Sequence, residues 1–323
     1  MNFRDHYLEV PLDLSEVLFI ATANDASMIP KPLYDRMEII EVSSYTENEK
    51  FHIAKDYLVD KQKKANGLSG EQLTFRNEAL KEMIRFYTRE AGVRSLEHKI
   101  GDICRKTARI ILEKKKEHMT ITKKTVRDML GTAPFDEEDN NLEPQCGVVR
   151  GLAWTSAGGD TLQIEVNTMP GKGKLLLTGN LGDVMKESAQ IAVSYIRSIG
   201  ECEKIPEDYF ENHDIHVHVP EGAVPKDGPS AGITISTAIL SAATERKVRG
   251  DIAMTGEVTL RGNVLPIGGL KEKLLAAKNA GVTEVFVPIK NQKNVKDIDK
   301  EITGGLAITY VSNMREVISG AFL

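Results

Sequence analysis

The sequence predicts an α+β, mixed α/β chain: a small helical domain, an acidic linker, then a larger domain built on a mixed sheet. Three observations carry that prediction. Apolar residues recur at helical spacing over residues 46–131. Residues 135–145 (FDEEDNNLEPQ) hold five acidic side chains, two Asn and one Pro without apolar periodicity, the composition of a linker. From Val148 onward, alternating or wholly apolar runs take turns with helical stretches. The boundaries that follow are 1–40 for an opening α/β segment, 41–133 for the helical domain, 134–146 for the linker and 147–323 for the mixed-sheet domain.

In chain order, the opening segment contains VLFIATA at 17–23, a continuous apolar run of the kind found in a buried parallel strand. A central strand needs neighbours, so residues 1–40 read as the tail of a larger α/β unit. The first helix starts at Thr46, where Glu49 completes a capping-box pattern. Phe51, Ala54, Tyr57 and Leu58 then recur at helical spacing. Further helices are predicted over 77–90, 95–115 and Lys123–Leu130, the last closed by Gly131, with a short strand at 118–122. In the second domain, Val148–Thr155 and 161–168 read as strands around a turn at Gly158-Gly-Asp160. Strands at 174–178, 215–219, 252–255, 258–265, 285–288 and Ala307–Val311 follow, with helices between them over Asp183–Ser198, 230–245, 270–280 and 313–319.

Composition excludes several functions. The 323 residues carry 42 Lys+Arg against 47 Asp+Glu, a net charge of −5, which argues against a nucleic-acid backbone as the main partner. No apolar run approaches the ~18 residues of a membrane span. The start, MNFRDHYLEV, has no apolar h-region. The three cysteines, Cys104, Cys146 and Cys202, are scattered and odd in number, so they suit a reducing cytoplasm and frame neither a zinc site nor disulfides.

The chemistry concentrates in two segments. Pro225-Lys-Asp-Gly-Pro-Ser-Ala-Gly232 contains Gly-x-Ser-x-Gly, where glycines permit a sharp turn that presents a serine hydroxyl. Ser230 precedes an apolar helix, so it reads either as a nucleophile beside helix N–H groups or as an ordinary N-cap. A nucleophilic serine needs a base. All seven histidines precede Ser230, which rules out the α/β-hydrolase order. His216 and His218 alternate with Ile and Val on one strand, share a face, and lack a carboxylate or Cys at matching spacing with His213; they read as a polar face rather than a metal site.

Lysine is the other candidate base. On a helix starting at Leu270, the face Leu270, Lys273, Leu274 and Ala277 places Lys273 within the apolar stripe. An amine held there is desolvated, which disfavours its ammonium form; lowering the pKa ~2–3 units from ~10.4 gives a usable base. The same position also allows Lys273 to snorkel from the edge of the stripe, and the residues alone leave both readings open.

Together, Pro225-Lys-Asp-Gly-Pro-Ser-Ala-Gly232 and Gly268-Gly-Leu-Lys-Glu-Lys273 resemble the Lon family of ATP-dependent serine proteases. The resemblance extends through Gly151-Leu-Ala-Trp-Thr155, Pro170-Gly-Lys-Gly-Lys174, Gly182-Asp-Val-Met-Lys-Glu-Ser188, Asp214-Ile-His-Val-His-Val-Pro-Glu-Gly222 and Met254-Thr-Gly-Glu-Val-Thr-Leu-Arg-Gly262. Upstream, Leu33-Tyr-Asp-Arg-Met-Glu38 and Tyr87-Thr-Arg-Glu-Ala-Gly-Val-Arg-Ser-Leu-Glu97 also fit, so it covers essentially the whole chain.

The resemblance implies a helical AAA+ small subdomain followed by a mixed-sheet protease domain with a Ser–Lys dyad. Ser230 would be the nucleophile and Lys273 the base, without a metal, and Thr255 would hold Lys273. Asp227, Gly228, His216 and His218 would support the site, with N–H groups of the Asp227-Gly-Pro-Ser230 turn as candidate oxyanion donors. It also implies a sensor-1 role for Asn24, an arginine finger at Arg36 and sensor 2 at Arg94, acting on ATP or ADP with Mg²⁺. Its partners would be unfolded or damaged proteins and other copies of the chain in a hexamer. Against this, the sequence has no Gly-x4-Gly-Lys-[Ser/Thr], and no Walker-B acidic strand precedes Asn24. ATP hydrolysis is therefore not expected, nucleotide binding should be weak or absent, and the activity should be ATP-independent peptidase chemistry. The alternatives are a silent ring-assembly or nucleotide-sensing chain, and a small-molecule amidase or esterase using the same dyad.

Overall fold

The computed structural model describes residues 2–4, 6–7, 9–23, 26–40, 42, 44–114, 117–135, 142–155, 158–220 and 226–323. It divides into two units, Met1–Ser43 and Ser44–Leu323. In the first, Asn2–Arg4 pairs antiparallel with Pro11–Asp13, and Lys31–Tyr34 makes a single helical turn. The strand expected over 17–23 does not form: none of these residues is in a strand, and Leu18, Phe19 and Ile20 are 84%, 70% and 86% exposed. A central parallel strand takes both its hydrogen-bond partners and its cover from neighbours. Among the described residues, no strand pairs with this run.

The second unit begins with a helical region. Thr46 caps its first helix, accepting from Glu49 N–H at 3.1 Å while the Glu49 carboxylate accepts from Thr46 N–H at 2.7 Å. Glu47–Ile53 continues through a π-helical segment, Ala54–Leu58, into Val59–Ala65. That segment corrects the expected face. Ala54 and Leu58 are buried but Tyr57 is 71% exposed, because in the wider turn three residues no longer return to the same side. Asn77–Phe86, Arg94–Lys114 and Lys123–Leu130 pack with it around Leu80, Met83, Ile100 and Val126. Two short parallel strands, Leu73–Phe75 and Met119–Ile121, join them. Residues 136–141 of the expected acidic linker lie outside the described residues.

The mixed-sheet region is organised by seven strands. Across the sheet they run Ala307–Val311, Glu284–Pro288, Ile252–Met254, Val148–Thr155, Gly158–Pro170, His213–His218 and Leu175–Thr178. The first four are mutually parallel; Gly158–Pro170 is antiparallel to both its neighbours. Side chains alternate between two cores. Phe286, Ile252 and Met254 join one with the helices Asp183–Ser198, Gly232–Thr244 and Met314–Ala321. Val285, Val287 and Ala253 join the other, against the Leu270–Asn279 helix. The parallel part of the sheet is thus covered on both faces.

Two local expectations shift. Gly158-Gly-Asp160, expected as a turn, belongs to a strand: Gly158 pairs with Thr155, Gly159 with Trp154 and Asp160 with Ala153. Gly159 serves close packing instead: a Cβ there would lie 1.9 Å from the Glu272 carbonyl oxygen. The single strand expected over 258–265 is a hairpin of Glu257–Val258 and Val264–Leu265, turned by Gly262 at φ +77°.

Candidate active site

The two cores meet at the end of the Ile252–Met254 strand. Thr255 extends that strand, its N–H donating to the Phe286 carbonyl at 3.2 Å. From one face comes the start of the Gly232–Thr244 helix, preceded by a 3-10 turn, Pro229–Ala231. Ser230 sits in that turn, not at an α-helical N-cap as the capping reading required. From the other face comes the Leu270–Asn279 helix, which carries Lys273 in its first turns. Lys273 Nζ lies 3.0 Å from Ser230 Oγ and 3.1 Å from Thr255 Oγ1. Crevices outside the carboxyl ends of parallel strands are where α/β sheets bring together groups from both faces.

Lys273 is 3% exposed and does not snorkel, and Thr255 is fully buried. Burial lowers the amine from its ordinary 10.5 to about 8, and desolvation is the only cause. No carboxylate contributes to hold the ammonium. The result is an amine with a substantial neutral fraction at physiological pH, hydrogen-bonded to one free hydroxyl and one fixed one.

Two comparisons bear on this geometry. Residues 120–323 match the Lon protease (S16) C-terminal proteolytic domain, and residues 64–127 match the Lon protease AAA+ ATPase lid domain. The chain belongs to the Lon protease family. It is 52% identical over 361 residues to the Lon protease of Lachnoclostridium phytofermentans, covering 100% of this chain and 45% of that protein. It is 54% identical over 322 residues to Lon protease 1 of Bacillus subtilis and to the Lon protease of Bacillus thuringiensis, again covering 100% of this chain and 42% and 41% of theirs. The chain thus spans less than half the length of these curated relatives.

Beside the Ser230–Lys273 contact, Asp227 performs a structural task. The Asp183–Ser198 helix begins at Gly182, which has no side chain to cap it. Asp227 Oδ1 accepts from Met185 N–H at 3.0 Å and from Gly228 N–H at 2.9 Å, supplying that cap from a distant segment. Gly228 N–H is therefore occupied by Asp227, and Pro229 has no N–H. Of the candidate oxyanion donors in this turn, Ser230 N–H is the one on the residue that carries the Ser230 hydroxyl. Residues 221–225, which lead into the turn, lie outside the described residues.

The remaining candidates lie elsewhere. His216 Nε2 and His218 Nδ1 are 2.9 Å and 2.7 Å from Thr178 Oγ1, on the strands at the far side of the sheet. The structure joins them to each other through Thr178, and no described hydrogen bond joins either to Ser230 or Lys273. Among the described residues, no group of three or more His, Cys, Asp or Glu is placed to hold a metal ion. Asn24 lies outside the described residues. Arg36, exposed, follows the Lys31–Tyr34 turn in the first unit; Arg94, exposed, opens the long lid helix in the second. Among the described residues no helix is long and apolar enough to cross a membrane.

Sequence reasoning missed Gly256. Its N–H donates to the Ser230 carbonyl at 2.9 Å, and its own carbonyl accepts from Ile233 N–H at 3.1 Å. A lone glycine after Thr255 carries no pattern that announces such contacts.

Proposed function

We propose that this chain hydrolyses peptide bonds by acyl transfer, with Ser230 as nucleophile and Lys273 as general base. The observation that carries the reading is a buried amine, lowered to about 8, placed 3.0 Å from a serine hydroxyl. At that pKa about a fifth of the amine is neutral near pH 7.4, against roughly 0.1% for an ordinary lysine. The neutral amine accepts the Ser230 proton as Oγ attacks the peptide carbonyl. Thr255 Oγ1, accepting an N–H of Lys273, keeps the lone pair aimed at Ser230. The ammonium then gives its proton to the leaving amine, and the acyl-enzyme is released by a water that the same lysine deprotonates. Ser230 N–H stands nearest the developing oxyanion. Asp227 and Gly228 fix the turn through the helix cap, and His216 and His218 support the sheet away from the chemistry.

The substrates are unfolded or damaged proteins, acted on in the cytoplasm by a homo-oligomer, six copies in the family's ring. The organisation is 1–40 as AAA+ large-subdomain tail, 41–133 as lid, 134–146 as linker and 147–323 as protease. The residues present do not make up a nucleotide site, because the sequence lacks a phosphate loop. No catalytic step passes through ATP, and peptide cleavage by this chain should not respond to ATP with Mg²⁺.

The test is cleavage of a fluorogenic unstructured peptide and labelling by a serine-directed acylating reagent. Wild type should cleave and be labelled at Ser230, and Ser230→Ala and Lys273→Ala should do neither. An unlabelled Ser230 in an assembled oligomer would instead favour a silent ring-forming chain. Turnover of a small ester but not of the peptide would favour an esterase.

A further inference from the structure

We propose that Gly256 is a positioning residue for the Ser230–Lys273 pair, an inference that rests on the dyad reading above. Thr255 and Gly256 are neighbours at one strand end, and each grips one half of the dyad. Thr255 Oγ1 holds Lys273 Nζ at 3.1 Å. Gly256 N–H donates to the Ser230 carbonyl at 2.9 Å, and the Gly256 carbonyl accepts from Ile233 N–H at 3.1 Å. One residue thus ties down both the carbonyl of Ser230 and the first turn of the helix that follows it. The gap between Oγ and Nζ is set by two adjacent residues of a buried strand end, although the two side chains come from opposite faces of the sheet.

Space, not backbone conformation, is what requires glycine. Gly256 is not among the residues of positive φ. A Cβ there would lie 2.8 Å from Val264 Cγ1 and 3.3 Å from both Cδ1 and Cγ2 of Ile233. Val264 and Ile233 are 3% and 0% exposed, and both are β-branched and stiff at χ1, so neither gives way readily. The facing surface is equally tight: a Cβ on Gly232 would lie 2.7 Å from Val258 N. A methyl at 256 therefore pushes the Ile233 end of the turn off the strand. Lys273 stays with Thr255, and the hydroxyl moves away from the amine.

The experiment compares wild type, Gly256→Ala, Val264→Ala and the double variant in the full chain, with active sites counted by serine-directed titration. Gly256→Ala should lower kcat per titrated site by about 100-fold, the scale of loss from a 1 Å misplacement, while leaving KM unchanged. General destabilisation would instead lower the number of titrated sites and spare the rate of each. Adding Val264→Ala removes the nearest methyl and should bring kcat back close to that of Val264→Ala alone. A wild type that is not labelled at Ser230 sinks the dyad reading. A labelled wild type overturns the role of Gly256 alone if Gly256→Ala turns over normally, or if its loss persists with Val264→Ala. Should Gly256→Ala fail to fold, the double variant decides: turnover close to Val264→Ala supports the role, and anything else overturns it.

Discussion

Lys50 in the helical region and Lys273 in the proteolytic domain are both amines withdrawn from water, yet their surroundings treat them differently. Burial lowers Lys50 too, but Glu90 and Glu47 act against it, and the amine donates to the Glu90 carbonyl. Lys273 meets two neutral hydroxyls and no carboxylate, and burial alone carries it to about 8. Burial sets the direction of a lysine's shift; the charges within reach decide whether the ammonium survives. At Lys50 two carboxylates oppose the effect of burial. The proteolytic domain holds a lysine that gives up its proton easily, at a cost in stability.

The sharpest test of that contrast is removal of each amine. Lys273→Ala and Ser230→Ala should each cut peptidase turnover by about 10⁴-fold or more, as loss of one member of a unit does elsewhere. Lys50→Met should leave turnover within assay error. A comparable loss at both positions would show that Lys273 is no more special than Lys50.

Stability should move the other way. A group whose ammonium is disfavoured on folding penalises the native state fully below its folded pKa. The penalty is lifted as pH rises from about 8 toward the unfolded value of 10.5. Lys273→Met therefore stabilises the chain at neutral pH, by up to the order of 3 kcal/mol, and the advantage shrinks between pH 8 and 10.5. Urea unfolding of both proteins at pH 7 and pH 10 measures it, and a destabilised Lys273→Met at pH 7 would contradict the assignment.

The pH dependence of kcat/KM should follow the same amine. Activity rises with pH as Lys273 loses its proton and levels off above about 8. Thr255→Val keeps the shape but removes the fixed acceptor, and should reduce kcat by about 10- to 100-fold. An unchanged kcat in Thr255→Val would mean that packing alone aims the lysine. The smallest effect belongs to Lys50→Met: burial outweighs the attraction of Glu90 and Glu47 and lowers this amine too, so its removal should not lower stability at pH 7, as urea unfolding measures.

Much of the helical region was legible because its contacts are local. The capping box at Thr46 and Glu49 and the helix closed by Gly131 lie within a few residues of the signals that announce them. Tyr57 was misjudged because a π turn is invisible to a fixed helical period. In the proteolytic domain the strands were readable from alternation, but the 258–265 hairpin and the pairing of Gly158-Gly-Asp160 within a strand depend on which neighbours the backbone meets. The strand expected over 17–23 failed for the same reason in reverse, since apolar character supplies no ladder partner.

By itself, the sequence determined which groups were chemically capable: a serine framed by glycines, a lysine on an apolar helical stripe and a threonine at a strand end. Whether Lys273 snorkelled or stayed buried was decided only by the tertiary structure, because desolvation depends on what covers a side chain and not on its own helix. The tertiary structure alone also brought Ser230 and Lys273 together, since they arrive from opposite faces of the sheet and share no local contact. Their spacing is set at Thr255 and Gly256, where the strand ends and both faces become accessible at once.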